Sequence, residues 1–304
     1  MVAPENRRDP RRSVQRRKVT VPDLLALKEQ GIRITALTAY DYPFGALVDA
    51  AGVDMVLVGD TASSVVHGNE TTLSMTLEEM TVLLKAVRRG VRYGLLVADL
   101  PFGYCHGGSS TSQTVQAAVS LVKAGAEAVK LEGGAKRVNL VRELVDAEVP
   151  VVAHIGLTPQ AVHTMGGYRV QGKTARTADI LVADAQALES AGAFAVVLEG
   201  IPQEVASHIT KRLRIPTIGI GAGLGCDGQI LVLHDMLGLT VPPPPGGPEH
   251  IAGKKPRFVR EYLDLRNVVR EAIERYCADV RSDEFPGPAE TYRLSEAETR
   301  SLRS

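Results

Sequence analysis

Cysteine is scarce in this chain, charge of either sign is not in excess, and long apolar runs are missing; each absence removes a class of function. The three cysteines, Cys105, Cys226 and Cys277, lie far apart in the sequence. They offer neither a C-x-x-C pair for zinc or redox exchange nor an even framework of disulfides, so a reducing, cytoplasmic setting is expected. Lysine and arginine total 35, and aspartate and glutamate also total 35. That balance leaves no overall electrostatic case for nucleic acid or an acidic membrane surface as a partner. No apolar stretch approaches the roughly 20 residues that span a bilayer. The arginine-rich start lacks the apolar core of a signal peptide, so neither export nor anchoring is expected.

What is present is ample apolar material, 44% of 304 residues, enough for one barrel-sized domain with tails or for two ordinary domains. Residues 1–18 hold Arg7, Arg8, Arg11, Arg12, Arg16, Arg17 and Lys18 with almost nothing apolar. They read as a disordered basic tail, because so little burial cannot offset the entropy of ordering. From about residue 33, short β-branched runs alternate with longer amphipathic ones, the pattern of βα units and a parallel sheet. Candidate strands fall at 34–38, 55–58, 95–98, 128–131, 151–153, 195–198, 217–220 and 230–233; helical stretches at 77–89, 113–124, 137–147, 177–191 and 202–212 lie between them. Thr76 with Glu79 reads as a capping box, and Gly90, Gly125 and Gly192 as helix-ending glycines. Segment 221–229 is too short and glycine-rich for a crossover helix. Eight such units within about 250 residues match a (β/α)₈ TIM barrel, with a doubly wound open sheet as the second choice. The barrel is expected over 19–280, interrupted at 241–256 by a proline- and glycine-rich surface loop. Helical periodicity returns over 257–280, and 281–304 reads as a polar tail.

In a parallel barrel the site lies where strands end, so the residues following each apolar run carry the information. They are Tyr40 and Asp41, then Asp60 and Thr61, Asp99, Lys130 with Glu132, His154, Glu199, and the glycines of 221–223. Carboxylates gathered on one rim repel one another unless a cation shares them. Oxygen donors without nearby cysteine favour Mg²⁺, and Asp60, Asp99 and Glu132 form the candidate ligand set. The plainer alternative is that each acid caps the helix after its strand. Asp99 resists it, because Pro101 and Gly103 follow instead of a helix. Period-two alternation puts Lys130 and Glu132 on one strand face, the barrel interior if Glu132 serves a metal. Lys130 then needs an anion, either a substrate carboxylate or Asp99 or Glu132 in a structural ion pair. Glu199 ends an apolar strand, a setting that suits a general base. His154 is a second candidate for that role and is otherwise a supporting residue beside the catalytic group. GLGCDG at 223–228 matches the dinucleotide pattern G-x-G-x-x-G, but a strand and not a helix follows, so its glycines better suit a tight turn and close ligand approach.

These segments carry a resemblance. LTAYD (37–41), LVGD (57–60), LVADLPF (96–102), VKLEGG (129–134), HIGLTPQ (154–160), GGYRVQG (166–172), IGIGAG (218–223) and DGQILVLHD (227–235) resemble the ketopantoate hydroxymethyltransferase family in order and spacing, from about Lys18 to Pro286. The resemblance implies a (β/α)₈ barrel akin to the phosphoenolpyruvate mutase and isocitrate lyase group. It implies transfer of the one-carbon unit of 5,10-methylenetetrahydrofolate to 3-methyl-2-oxobutanoate, and assembly as a homodecamer. By the same resemblance Asp60, Asp99 and Glu132 surround Mg²⁺, Asp60, Thr61, Asp99 and Lys130 hold the oxo acid, and Glu199 accepts a proton. Thr61 stands where the family usually has serine, and 103–110 departs from the commoner family wording. A related magnesium-dependent oxo-acid lyase or mutase, or a noncatalytic oxo-acid-binding barrel, is the competing reading.

Overall fold

The structure is a computed structural model and describes residues 16–105, 109–240 and 255–302. Eight parallel strands close a barrel in sequence order: β1 Ile34–Thr38, β2 Met55–Val58, β3 Leu95–Asp99, β4 Ala128–Glu132, β5 Val151–Gly156, β6 Ala195–Glu199, β7 Thr217–Ile220 and β8 Gly228–Leu231. The longer helices are α1 Val21–Glu29, α2 Tyr42–Ala51, α3 Leu77–Gly90, α4 Thr111–Ala124, α5 Val138–Asp146, α6 Ala175–Ser190, α7 Gln203–Arg212 and α8 Leu265–Arg281. The open-sheet alternative is therefore excluded.

Strand alternation separates two apolar layers. Ile34, Ala36, Met55, Leu57, Leu95, Val97, Ala128, Val152, Val197 and Ile218 fill the barrel interior, while Val56, Val58, Leu96, Ala98, Val129, Leu131 and Ala153 pack outward against the helices. Strands buried on both faces read as unbroken apolar runs, which is why their positions were visible in the sequence.

Three expectations gain detail. Gly90 does not follow its helix but ends it, and a Cβ there would lie 2.5 Å from the Ala46 backbone nitrogen; its smallness lets α3 approach α2. The glycine turn after β7 approaches the chain's own side chains: a Cβ on Gly221 would meet the Phe258 ring and one on Gly223 the Gln203 side chain. The C-terminal helix starts at Leu265 instead of 257, because residues 255–264 turn back to pair Tyr262 N–H with the Met236 carbonyl. Thr76 and Glu79 form the expected capping box, and Gly125 caps α4 in the left-handed region.

Of the basic tail, residues 1–15 lie outside the described residues, as does most of the proline-rich loop, 241–254. Arg16, Arg17 and Lys18 are placed: the Arg16 guanidinium lies 4.8 Å from the centre of the Tyr93 ring, Arg17 pairs with Asp23, and Lys18 with Glu127. Part of the segment read as tail thus docks on the barrel. Within the polar C-terminal segment a short helix forms over Glu296–Ser301.

Candidate active site

The interior positions that are apolar low in the barrel become charged at its carboxyl end. Val97 leads to Asp99, Ala128 to Lys130 and then Glu132, Val152 to His154, and Val197 to Glu199, in steps of two residues and therefore on the same strand face. Strand pairing then brings them side by side: Asp99 is in register with Lys130, and Glu132 with His154. The expected interior location of Lys130 and Glu132 holds.

Asp60 lies just past β2 and joins the group through its backbone, whose N–H donates to Asp99 Oδ2 at 3.1 Å. It does not act as a cap, because its carboxylate accepts from Gln160 Nε2 at 2.8 Å. Thr61 follows on the first turn of a short helix, Ala62–Val65, and its hydroxyl makes no capping bond there. Lys130 Nζ hydrogen-bonds Asp99 Oδ1 and lies 3.7 Å from Glu132 Oε1. The ion pair weighed from sequence is thus present, and it holds the ammonium among the acids.

His154 stands between two carboxylates, its Nδ1 3.3 Å from Glu132 Oε1 and its Nε2 3.2 Å from Glu199 Oε2. Both ring nitrogens lack a hydrogen bond of good geometry, so the contacts are ion-pair contacts more than directed bonds. Asp99, Glu132 and His154 side chains are 1–2% exposed, whereas that of Glu199 is 15% exposed. Glu199 is therefore more exposed than the acids buried behind it. Gly156 helps to set its position: it adopts φ +97°, and a Cβ there would stand 2.2 Å from the Glu199 carbonyl oxygen. Leu157 N–H donates to that same oxygen at 2.8 Å.

The electrostatics follow from burial. Desolvation, then the charges of Asp99 and Glu132, hold the Asp60 carboxyl well above the usual carboxylate range. Burial likewise raises Asp99, although Lys130 opposes it. Burial pushes Glu132 up too, but His154, Lys130 and the Gln160 backbone N–H outweigh it and bring its carboxyl below the ordinary value. His154 is pushed down by burial and more than restored by Glu132 and Glu199, to about 9. Burial lowers Lys130, yet the surrounding acids raise it above its ordinary value.

Among the described residues no three His, Cys, Asp or Glu side chains already stand as a complete ligand cluster. What Asp60, Asp99 and Glu132 offer is an all-oxygen donor set with too little positive charge near Asp60. That chemistry fits Mg²⁺, which takes one or two carboxylates and keeps several waters. Sequence reasoning gave no role to Gln160, which contacts both Asp60 and Glu132, nor to the buried hydroxyl of Tyr40, which has no hydrogen-bond partner among the described residues. Neutral groups leave no charge pattern to follow; the one available signal was their place just beyond the ends of β1 and β5.

Comparison with known proteins agrees with this architecture. The solved structure of a phosphonopyruvate hydrolase complex with oxalate and Mg²⁺ superposes with TM-score 0.58 at 15% identity, covering 94% of this chain and 95% of that one. A 2,3-dimethylmalate lyase of the PEP mutase/isocitrate lyase superfamily gives 0.55 at 17% identity, covering 93% and 94%. These likenesses establish the shared barrel fold. In sequence, a 3-methyl-2-oxobutanoate hydroxymethyltransferase of Koribacter versatilis (strain Ellin345) is 50% identical over 92% of this chain and 90% of its own length. One from Syntrophotalea carbinolica is 49% identical over 92% of this chain and all of its own length. The family model for ketopantoate hydroxymethyltransferase matches residues 18–288, and the chain therefore belongs to that family of transferases.

Proposed function

We propose that the chain transfers the one-carbon unit of 5,10-methylenetetrahydrofolate to 3-methyl-2-oxobutanoate, giving 2-dehydropantoate and tetrahydrofolate in the first step of pantothenate biosynthesis. One observation carries the reading. A partly exposed carboxylate, Glu199, stands beside a buried set of oxygen donors and a lysine, all on the carboxyl ends of the barrel strands. Proton abstraction next to a carbonyl needs a reachable base and a charged environment that stabilises the anion formed.

In this reading Asp60, Asp99 and Glu132 hold Mg²⁺, which when bound supplies Lewis acidity toward the oxygens of the oxo acid. Lys130 and the Thr61 hydroxyl bind its carboxylate, together with Asp60 and Asp99 on the same rim. Glu199 takes the proton from C3, and the electron pair passes into the enolate. That carbon then bonds to the methylene carbon of the folate as both carbon–nitrogen bonds of that methylene break; water supplies the hydroxyl oxygen, and the two folate nitrogens take up one proton from that water and the one held by Glu199. His154 orients Glu199 from behind and does not touch the substrate.

The decisive assay is formation of 2-dehydropantoate from 3-methyl-2-oxobutanoate and methylenetetrahydrofolate, with and without Mg²⁺. Product that depends on both folate and Mg²⁺ supports the proposal. Cleavage or rearrangement of another oxo acid without folate points instead to a lyase or mutase. The setting proposed is the cytoplasm: among the described residues no helix is long and apolar enough to cross a membrane, and all three cysteines are free. The assembly proposed is a homo-oligomer, a decamer by family resemblance. In support, α8 buries none of its residues and leaves Val269, Ile273, Tyr276 and Val280 exposed along one stripe.

A further inference from the structure

Gln160 is a neutral residue in the middle of this charged site, and its surroundings are unusual for a packing residue. It sits on the 3₁₀ turn Pro159–Ala161, directly after β5, and is 3% exposed. Its backbone N–H donates to Glu132 Oε2 at 3.0 Å. Its side-chain Nε2 donates to Asp60 Oδ2 at 2.8 Å and to the Leu100 carbonyl at 3.0 Å. The Leu100 carbonyl can only accept, as can Asp60 when ionised, and this fixes the orientation of the amide: turned over, it would set Oε1 against that carbonyl.

The fixed orientation leaves Oε1 buried without a hydrogen-bond partner among the described residues. An orphaned buried acceptor is destabilising, so an apolar side chain of the same length would serve packing better. The amide is in place for what it donates. We infer that Gln160 is a positioning residue that clamps Asp60 and Glu132 in one geometry, fixing Asp60 through its side chain and Glu132 through its backbone. Since Gln160 occupies Asp60 Oδ2, it leaves Oδ1 as the oxygen of that carboxylate not bound by the amide, and it does so without adding a charge. The inference rests on the proposal that these acids serve the cation and the oxo acid.

The test uses the full chain and two variants, with Mg²⁺ alone as the calorimetric probe. Gln160→Met keeps the length and the backbone N–H but removes the donation to Asp60. Gln160→Asn keeps an amide but is one carbon too short to reach, and it covers the case in which the methionine variant does not fold. Both are expected to bind Mg²⁺ about 10- to 100-fold more weakly than wild type, the usual effect of removing a partner of a ligating carboxylate. The melting temperature without Mg²⁺ should stay within a few degrees of wild type. In turnover the loss should fall on KM for the oxo acid more than on kcat, a split that general damage to the fold does not produce. Mg²⁺ affinity within twofold of wild type in both variants would overturn the inference, as would losses that track a collapse in melting temperature. Wild type that takes up no Mg²⁺ would overturn the cation-site reading itself, a distinct result visible before any variant is compared.

Discussion

Asp60, Asp99 and Lys130 share a buried interior in which three charges cannot be held at equal cost. Lys130 pairs with Asp99, and Asp60 is left with a neutral amide, Gln160, as its side-chain partner. Asp60 accordingly keeps its proton to higher pH in the folded chain than in the unfolded one. The folded state then binds more protons, so this group makes the metal-free chain less stable as pH rises from the ordinary carboxylate range through the raised value. A cation held by Asp60, as proposed, would have to displace that proton. Mg²⁺ binding is expected to release protons, seen as a binding heat that changes with the ionisation enthalpy of the buffer, and to weaken on acidification. Asp60→Asn should remove most of the release. A buffer-independent heat would show that Asp60 is already ionised. The charged members of this group were legible from sequence because they stand at or just past the carboxyl ends of apolar strands. Gln160 was not, since it is uncharged and 100 residues from the acid that it orients.

At the scale of elements, the junction of β5 and β6 decides where the candidate base stands. Gly156 bends away from Glu199 with a backbone angle that other residues rarely adopt, and a side chain there would overlap the Glu199 carbonyl. Gly156→Ala therefore combines backbone strain with a steric clash. It is expected to cost about 2 kcal/mol or more, read as a lower melting temperature, and to reduce turnover by displacing Glu199. A variant with wild-type stability and turnover would mean that the junction yields at no cost. Strands β1, β2 and β7 match their sequence expectations at both ends. β8 does not: it begins at Gly228, paired with Ile34, two residues before its apolar run. Gly228 and Gln229 carry no strand signal of their own, and pairing with β1 and β7 makes them strand. Leu233, counted into the strand, instead opens a short helix and donates its N–H to Thr38 Oγ1.

Among the described residues the chain forms a closed barrel, and the long C-terminal helix α8 stands off it with no buried residue. The stripe of Val269, Ile273, Tyr276 and Val280 on α8 faces solvent, and its helical spacing, legible from sequence as periodicity over 257–280, is that of a face meant to be covered. The expected outcome is a particle several times the mass of one chain by light scattering. Ile273→Asp together with Tyr276→Asp should shift it to smaller species, whereas a monomeric wild type would contradict the proposed assembly. Closure of the barrel was legible because eight βα units have one economical arrangement at this length. The docking of Arg16 to Lys18 was not, because its partners, Tyr93, Asp23 and Glu127, include residues far along the chain.

Removal of a proton from C3 of a bound 2-oxo acid, the role proposed for Glu199, can be isolated from carbon transfer. In deuterated water with Mg²⁺ but no folate, the C3 hydrogen of 3-methyl-2-oxobutanoate should exchange with wild type, as followed by proton NMR. Glu199→Gln keeps the shape of the side chain and removes its capacity to accept a proton. This variant should still bind Mg²⁺ and the oxo acid while its exchange falls by about two to four orders of magnitude, the usual contribution of a general base. Exchange at the wild-type rate in Glu199→Gln would contradict the account and move the role of base to His154, the other group that the strands bring to the same place.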